Sequence, residues 1–387
     1  MLCAVSEHSL AELRNGMKAL IVSNLERGFS AGHLSMIGPL QELGYEVTWA
    51  SNFSEFRGDI SSFPCRTVQI DFVRHPLHPG NLKAYRQLTR LMREEDFRLV
   101  HCNSPVGGVL GRICGARAGV PTIVYTAHGF HFYKGAPLVN NTVYKWAEQL
   151  MARCTDVIIT INQEDYEAAQ RLRLRNGGRV YYVPGVGIDT QDFRPQGVDT
   201  TKVRHSLGLR EDDVVLIAMG DLIRRKNYAA SIRAIARASN PRLQFLICGV
   251  GPELDKLRAL STRLGVGQQV RFLGFRRDIK DLLAISDIFL FTTYQEGLPR
   301  SMMEAMASGL PCVASRIRGN IDLIEDGRGG FLRHPDDIQG LADSINELAG
   351  NEELRKRMGA SNLVSVQKYD VEVVRREITG IFEKELT

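Results

Sequence analysis

The 387-residue sequence lacks several patterns that would place it quickly in a class of protein. It contains no zinc-ligand spacing, no Walker phosphate loop and no serine nucleophile elbow. Its seven cysteines form no C-x-x-C pair, and several lie inside apolar runs, which is typical of buried thiols in a reducing cytosol. The sequence therefore predicts neither a disulfide framework nor a structural metal site.

Long apolar runs and a strong excess of one charge are also missing. No apolar stretch approaches the roughly 20 residues that span a bilayer, and no secretory signal is visible. The net charge is +5, with Lys and Arg interrupted by acids. This distribution disfavours a nucleic-acid binder, which needs a basic face with stacking aromatics. It is compatible with phosphate-bearing ligands, with an anionic membrane surface, or simply with a solvated surface.

What the sequence does contain is a regular alternation of short apolar runs with longer amphipathic runs. Helix-like stretches such as Leu82–Glu94 and Thr142–Ala152 separate the strand candidates, which predicts parallel sheets of the doubly wound type. The strand candidates are Ala19–Ser23, Glu46–Ala50, Thr67–Phe72, Leu99–Asn103, Thr122–Thr126, Val157–Ile161 and Val180–Val183, then Val214–Met219, Gln244–Cys248, Val270–Leu273, Ile288–Phe291 and Cys312–Ala314.

The predicted fold is α/β, with two Rossmann-like doubly wound domains that face each other across a cleft. Gly and Pro residues between Pro184 and Pro195 mark the linker. We expect an N-terminal domain over residues 17–185, a C-terminal domain over 186–370, and a helix in 371–387 that packs back on the first domain. Residues 1–16 are expected to be a disordered extension. Ligands of such sheets bind beyond the carboxyl ends of the strands.

Two glutamates flank the start of a predicted helix that follows the strand Ile288–Phe291. Pro299 suits the first helical turn, and Gly309 ends the helix. Glu304 lies in a small apolar helix, where a carboxylate must be paired or bind a ligand. Glu296 lies just before the helix start, where free N–H groups favour an anionic ligand. Helix capping by Glu296 and a core ion pair for Glu304 are the structural alternative.

Other candidates follow predicted strands. The basic turn that begins at Gly220 and contains Arg224, Arg225 and Lys226 occupies the phosphate-binding place of a Rossmann unit, although a solvated turn has the same composition. Gly249 follows the next strand. In the first domain the candidates are Gly32 and His33, Asn103 and Ser104, and His128, His131 and Lys134, for which helix capping or structural histidines are the alternatives. His128 and His131 lack a third ligand nearby, so no metal is expected.

With these motifs the sequence resembles retaining glycosyltransferases of family four, which have the GT-B fold, over nearly its whole length from Met17. Glu296-Gly-Leu-Pro with Glu304-Ala-Met-Ala-Ser-Gly-Leu-Pro matches the E-x7-E signature. The turn from Gly220 to Lys226, His128 and residues 183–189 match the phosphate turn, the cleft histidine and the interdomain segment. Residues 125–138 look like those of the capsular and exopolysaccharide subgroup.

The resemblance implies roles for these residues. Glu304 would hold the ribose hydroxyls of a nucleotide sugar, Lys226 would neutralise its diphosphate, and Glu296 with the backbone of Gly297 and Leu298 would hold the donor sugar. The remaining implied contacts are His128 near the reacting carbon, Gly32 near the diphosphate and Phe275 beside the base.

One position departs from the family pattern. The family often carries Arg directly after the residue that matches Gly220, where this chain has Asp221. The second cation at the diphosphate is therefore open, with Arg224 and Arg225 as the candidates.

The expected activity is retaining transfer of a hexose or N-acetylhexosamine from a uridine diphosphate donor to a glycan acceptor. We expect a polyprenyl-linked acceptor, a role in cell-surface polysaccharide synthesis, and no cofactor or metal. A sugar-nucleotide epimerase and a nucleotide-sugar sensor are the alternatives. We expect a cytoplasmic location, either free or peripheral at the inner face of the plasma membrane. The hypothesis of anionic membrane contact rests on a helix with Lys83, Arg86, Arg90 and Arg93 beside Leu82, Leu88 and Leu91.

Overall fold

A computed structural model describes residues 16–29 and 31–386 of the chain. These residues form two compact units. One unit comprises the chain as far as Gly187 together with the segment from Val371 onwards, and the other is Ile188–Asp370. The extension expected over residues 1–16 falls, except for Gly16, outside the described residues.

The described part of the first unit contains a seven-stranded sheet in the order β3-β2-β1-β4-β5-β6-β7, in which all neighbouring strands are parallel. Its strands are β1 Met17–Leu25, β2 Tyr45–Asn52, β3 Arg66–Gln69, β4 Phe97–Asn103, β5 Thr122–Ala127, β6 Val157–Thr160 and β7 Arg179–Tyr182. Its α-helices are Ala31–Glu42, Asn81–Glu94, Pro105–Ala118, Lys145–Ala152, Gln163–Ala169 and Val371–Glu385, and a π-helical turn spans Asn140–Tyr144.

The second unit contains a six-stranded parallel sheet in the order β10-β9-β8-β11-β12-β13. Its strands are β8 Val214–Met219, β9 Leu243–Cys248, β10 Val270–Gly274, β11 Ile288–Phe291, β12 Cys312–Ser315 and β13 Gly330–Arg333. Its α-helices are Thr200–Ser206, Tyr228–Ala238, Leu254–Arg263, Ile279–Ala284, Arg300–Ala307, Asn320–Leu323, Ile338–Gly350 and Glu352–Ser365, and short 3₁₀ turns include Arg224–Lys226.

Each sheet is covered on both faces, which explains why its strands are nearly continuous apolar runs. Along β8, Leu216 packs into the cluster on one face and Ile217 into the cluster on the other, and both side chains are fully buried. Because neighbouring strands are parallel, the loops that follow β8, β9, β11 and β12 all leave the same edge of the sheet. That edge carries the candidate site.

Several boundaries differ from those that the sequence predicts. β13 is not predicted, because its four residues begin with Gly330 and show too short an apolar pattern. The third strand ends at Gln69, three residues before the predicted end. Pro299 is the N-cap of helix Arg300–Ala307 rather than part of its first turn.

The helix on which membrane contact was hypothesised, Asn81–Glu94, does not present an apolar face to solvent. Its Leu88 and Leu91 are buried in the core of the first unit, and of the three leucines only Leu82 is exposed. Its hydrophobic periodicity thus reflects ordinary core packing, so this helix does not support the hypothesis. Among the described residues no helix has the length and apolarity needed to cross a bilayer.

Candidate active site

A cavity of about 360 Å³ lies in the second unit beside the carboxyl ends of β8 and β11. It brings together residues from the basic turn and from the segment that carries the two glutamates. Its lining comprises Met219, Gly220, Lys226, Glu296, Leu298, Pro299, Arg300, Ser301 and Glu304.

Glu296 is the centre of a charged hydrogen-bond network at this cavity. Its Oε1 accepts from Lys226 Nζ at 2.8 Å, from Arg225 Nη1 at 3.1 Å and from Thr293 Oγ1 at 2.8 Å. The Glu296 side chain is only 11% exposed, and a buried carboxylate needs such partners. The network also joins the loop after β8 to the loop after β11, so Glu296 does not act as a simple helix cap.

Lys226 is held in place from two sides. It ends the 3₁₀ turn Arg224–Lys226, and its ammonium lies 4.9 Å from the centroid of the Phe291 ring. The backbone N–H of Tyr294 donates to the carbonyl of Arg225 at 2.9 Å, which ties the turn to the end of β11. The cation is therefore positioned by the fold, as an anion-binding residue should be.

Glu304 occupies a different environment from Glu296. It lies in helix Arg300–Ala307, one turn after Arg300, whose Nε donates to Glu304 Oε1 at 2.9 Å. Burial raises the pKa of Glu304, and the neighbouring Arg300 guanidinium opposes that rise. The structural alternative was an ion pair with an arginine of the core. Glu304 pairs instead with Arg300, whose side chain is 43% exposed and lines the cavity.

A third loop, which follows β12, braces the glutamate segment. Arg318 is buried and its Nε donates to the carbonyl of Glu296 at 3.2 Å. Gly319 has a φ of 80°, and a Cβ there would stand 2.3 Å from the carbonyl oxygen of Gly297. Only glycine permits both this backbone conformation and this close approach.

Glycines also allow the ends of β8, β9 and β10 to approach one another. A Cβ on Gly249 would stand 2.0 Å from the carbonyl oxygen of Gly220. The Gly249 N–H donates to the Gly274 carbonyl at 2.8 Å, and Tyr228 Oη donates to the Gly220 carbonyl at 3.0 Å. Phe275 follows directly and is 65% exposed. An exposed aromatic ring at this edge is available to stack on a planar ligand.

The structure favours Arg225 over Arg224 as the second cation of the basic turn. Asp221, Arg224 and Arg225 are all exposed, but Arg225 reaches Glu296, to which its Nη1 donates. Arg300 adds a further cation at the cavity wall. The site therefore has further positive charge beside Lys226, although Asp221 occupies the position of the family's Arg.

In the first unit, the ends of β4 and β5 bring polar candidates together. His128 Nε2 and Asn103 Oδ1 are hydrogen-bonded, and the buried Asn103 also donates to Met36 Sδ at 2.9 Å. Surrounding protein lowers the pKa of His128 to about 4, although more than a third of its surface is open to solvent. The imidazole is therefore neutral at pH 7.

Ser104 is strained and has a buried hydroxyl. Its φ is 132°, and it precedes helix Pro105–Ala118 as N-cap without a side-chain capping bond. Among the described residues its Oγ finds no hydrogen-bond partner. Strain and an orphan polar atom in one residue often mark a functional position, so capping does not account for Ser104.

The remaining candidates are divided between the interior and the surface. His33 is buried, hydrogen-bonds Glu26 at 2.9 Å and lies 4.9 Å from the Trp49 ring, while the Gly32 carbonyl accepts from Ser35 at 3.1 Å. These contacts place both residues within the packed start of helix Ala31–Glu42. His131 stacks on Tyr144, and Lys134 is exposed.

Sequence reasoning missed Arg300 and Arg318. Arg300 lies four residues from both Glu296 and Glu304, a spacing that allows a helical ion pair with the second. Arg318 lies three residues after β12, a strand that the sequence predicts, so its position near a strand end could also have been found. Among the described residues no group of three or more His, Cys, Asp and Glu side chains is arranged to hold a metal ion.

Comparison with known proteins identifies the class. Residues 199–362 match the family described as "Glycosyl transferases group 1", and residues 28–185 match a "Glycosyl transferase 4-like domain". The chain is 33% identical to the putative glycosyltransferase EpsD of Bacillus subtilis over 94% of this chain and 96% of that protein. It is 32% identical, over 68% of this chain and 70% of the other, to the UDP-Gal:alpha-D-GlcNAc-diphosphoundecaprenol alpha-1,3-galactosyltransferase of Escherichia coli.

A solved structure shares the fold. HepE of Anabaena, crystallised with UDP and glucose, superimposes with a TM-score of 0.77 at 23% identity and covers 95% of this chain and 100% of its own. The chain is thus an enzyme that transfers a sugar. It belongs to the family 4 glycosyltransferases and has the GT-B fold.

Proposed function

We propose that the protein transfers a hexose or an N-acetylhexosamine from a uridine diphosphate donor to a polyprenyl-linked glycan, with retention of anomeric configuration. The observation that carries this proposal is the cavity in which Glu296 and Glu304 are held by Lys226, Arg225 and Arg300. A nucleotide sugar offers matching groups: hydroxyls for carboxylates and a diphosphate for cations.

The two glutamates receive different roles in this proposal. Glu304 accepts hydrogen bonds from the ribose hydroxyls, and Glu296 accepts from the donor sugar. Lys226 and Arg300 neutralise the diphosphate as negative charge develops on it. Phe275 flanks the base. No bound metal is required, because these side chains supply the positive charge.

The proposed reaction forms one bond and breaks one bond on the same face of the sugar. The acceptor hydroxyl oxygen bonds to the anomeric carbon, the bond from that carbon to the β-phosphate oxygen breaks, and the acceptor proton passes to that phosphate. Asn103 and Ser104 of the first unit are the main candidate contacts for the acceptor, and His128 is the candidate contact near the reacting carbon. His33, His131 and Lys134 are secondary candidates.

The named relatives support the donor and acceptor classes. The Escherichia coli relative is named for UDP-galactose and a diphosphoundecaprenol-linked sugar, and HepE was crystallised with UDP and glucose. A role in exopolysaccharide synthesis is part of the proposal and rests on the resemblance of residues 125–138 to the capsular and exopolysaccharide subgroup. We accordingly propose work at the inner face of the plasma membrane, where such acceptors are displayed.

Calorimetry with UDP-glucose, UDP-galactose and their N-acetyl analogues tests the donor site. Glu304→Gln removes a charged acceptor, so the affinity of the best donor should fall about 10- to 100-fold. Glu353→Gln, a substitution of an exposed glutamate in the same unit, should leave the affinity unchanged. Equal donor affinity in a folded Glu304→Gln variant would show that the ribose role is wrong.

Product analysis with and without a polyprenyl-diphosphate-linked sugar separates the alternatives. A transferase consumes the donor faster with the acceptor and yields an α-linked product from an α-linked donor. An epimerase converts the donor without acceptor, and a sensor binds it without turnover. Lys226→Ala should lower the turnover number at least tenfold, because it removes a cation from the leaving group.

A further inference from the structure

The loop of residues 128–134 follows β5 and begins with His128, and we call it the histidine loop. Gly129 has a φ of 129°, a conformation that favours glycine, so the chain turns directly after His128. On one side of this turn the His128 side chain is held by its hydrogen bond with Asn103. The position of the imidazole therefore also depends on what holds the chain on the other side, at Phe130.

A buried carboxylate holds the chain at Phe130. The Phe130 N–H donates to Asp165 Oδ2 at 3.0 Å, and Asp165 is 1% exposed. The same oxygen accepts from Asn162 Nδ2 at 2.7 Å, and the Asp165 N–H donates to Asn162 Oδ1 at 2.9 Å. A carboxylate removed from water is costly unless donors surround it. These bonds therefore define where Asp165 meets the Phe130 N–H.

The residue before Asp165 holds the far end of the histidine loop. Glu164 Oε1 accepts from the Lys134 N–H at 2.6 Å. Between these two contacts, Asn141 Oδ1 accepts from the Tyr133 N–H at 3.1 Å. Backbone N–H groups along the loop thus donate to side chains, and adjacent acids of helix Gln163–Ala169 supply two of the acceptors.

Apolar packing holds the histidine loop on the same helix but does not orient it. Phe130 and Phe132 are buried, their ring centroids lie 4.8 Å apart, and both belong to the core cluster that contains Ala169. Burial of apolar surface is non-directional, so it leaves the rotation of the peptide between Gly129 and Phe130 open. A hydrogen bond depends on the direction of the N–H. The bond to Asp165 therefore sets the orientation of that peptide.

We propose that Asp165 is a positioning residue, which holds the peptide after Gly129 and thereby keeps the His128 imidazole in one place at the carboxyl end of β5. The inference rests on the proposed function, in which His128 makes the contact near the reacting carbon. Asp165 is buried and acts through His128. Displacement of an aligned group lowers turnover more than affinity, because the transition state depends more strongly on geometry than the bound substrate does.

Release of UDP from the donor to water tests the proposal without any acceptor. The probe is the tightest-binding of UDP-glucose, UDP-galactose and their N-acetyl analogues. Asp165→Ala should lower the turnover number at least tenfold and keep the donor affinity within twofold. Asp165→Asn retains an oxygen that can accept from the Phe130 N–H, so it should keep at least about a third of the wild-type turnover.

A double-mutant cycle shows whether Asp165 acts through His128. His128→Ala should lower turnover at least tenfold, and Asp165→Ala should lower it less than threefold further in that background. Asp156→Ala is the matched control, because Asp156 Oδ2 also accepts from a backbone N–H, that of Ile123 at 2.8 Å, but at the opposite edge of the same sheet. It should destabilise the first unit and keep wild-type turnover in the folded protein.

Hydrogen exchange measured by mass spectrometry gives a readout that needs no donor. Asp165→Ala should raise the exchange rate at least tenfold in peptides that cover residues 129–134, because the Phe130 N–H loses its acceptor. Asp165→Asn should raise it less. Asp156→Ala should leave the exchange of the histidine loop as it is in the wild type.

Three outcomes would overturn the proposal. The first is wild-type turnover, or wild-type exchange of the histidine loop, in a folded Asp165→Ala variant while His128→Ala lowers turnover, which would leave the proposed function standing. The second is additive losses in the double variant, which would mean that Asp165 acts independently of His128. The third is wild-type turnover in His128→Ala, which would remove the role proposed for His128 and this inference with it.

Discussion

At the residue scale, identical side chains acquire different properties from their surroundings. Glu296 is held by two cations and a hydroxyl, whereas Glu304 has one arginine and a raised pKa. The first arrangement fixes a carboxylate in one geometry. The second leaves a carboxylate whose partner, Arg300, also lines the cavity and can turn to a ligand. The two acids, eight residues apart, thus differ in the way that the separate roles proposed for them require.

Buried His101 should make the stability of the first unit depend on pH. It is fully buried beside Thr126, with Nε2 and Oγ1 2.7 Å apart, and burial together with the nearby His128 lowers its pKa to about 3. Below the ordinary pKa of about 6.5, the unfolded chain binds a proton that the folded chain excludes. The free energy of unfolding should thus fall as pH falls, by on the order of 2 kcal/mol from pH 7 to pH 5.

Urea unfolding of His101→Gln measures this contribution, followed by Trp49 fluorescence in a Trp146→Phe background. The variant should lose less stability between pH 7 and pH 5 than its parent does. His128 titrates in both proteins, so the difference isolates His101. The exposed His75→Gln variant should keep the parental pH dependence. The same slope in His101→Gln as in the parent would contradict the argument.

At the element scale, the site depends on loops that pack against each other at one edge of the second sheet. Gly319 after β12 touches Gly297 after β11, and Arg318 donates to the Glu296 carbonyl. A change in one loop should therefore move a side chain that belongs to another.

Gly319→Ala tests this coupling, with Gly327→Ala as its matched control. Both glycines have φ near 80°, so both substitutions should cost roughly 1–2 kcal/mol of stability through backbone strain, and Gly319→Ala should cost more because of its close contact. Only the Cβ at Gly319 meets another atom, the Gly297 oxygen at 2.3 Å. Donor affinity measured by calorimetry should thus fall at least tenfold for Gly319→Ala alone. Equal affinities in the two variants would show that this contact does not position Glu296.

The sequence predicts elements better than it predicts contacts. Glu296 and Glu304 could be found because glycine and proline mark the helix boundaries around them, and twelve strands could be found from their apolar runs. The sequence does not predict that Leu88 is buried and Trp146 exposed. Periodicity shows that a helix has an apolar face but not whether another element covers that face. Arg318 and Gly319 act through a neighbouring loop, which sequence spacing does not reveal.

At the scale of the whole molecule, chain order and domain membership do not coincide. Helix Val371–Glu385 is the last element described, yet it belongs to the first unit. Its Val374, Ile378, Ile381 and Phe382 join the cluster that contains Trp49 and β1 residues. The core of the first unit is therefore built from segments on both sides of the second unit, which has its own core within Ile188–Asp370.

Phe382→Ala should destabilise the first unit selectively. Phe382 is fully buried, so its truncation should cost about 3–5 kcal/mol. Both tryptophans lie in the first unit, so tryptophan fluorescence should report a lower urea midpoint. Phe245→Ala, an equally buried substitution in the core of the second unit, should instead leave that midpoint nearly unchanged. The stabilisation of the second unit by UDP serves as the second signal. Under native conditions Phe245→Ala should weaken it, whereas Phe382→Ala should leave it in place. A common shift of both signals in both variants would mean that the two cores unfold as one cooperative unit.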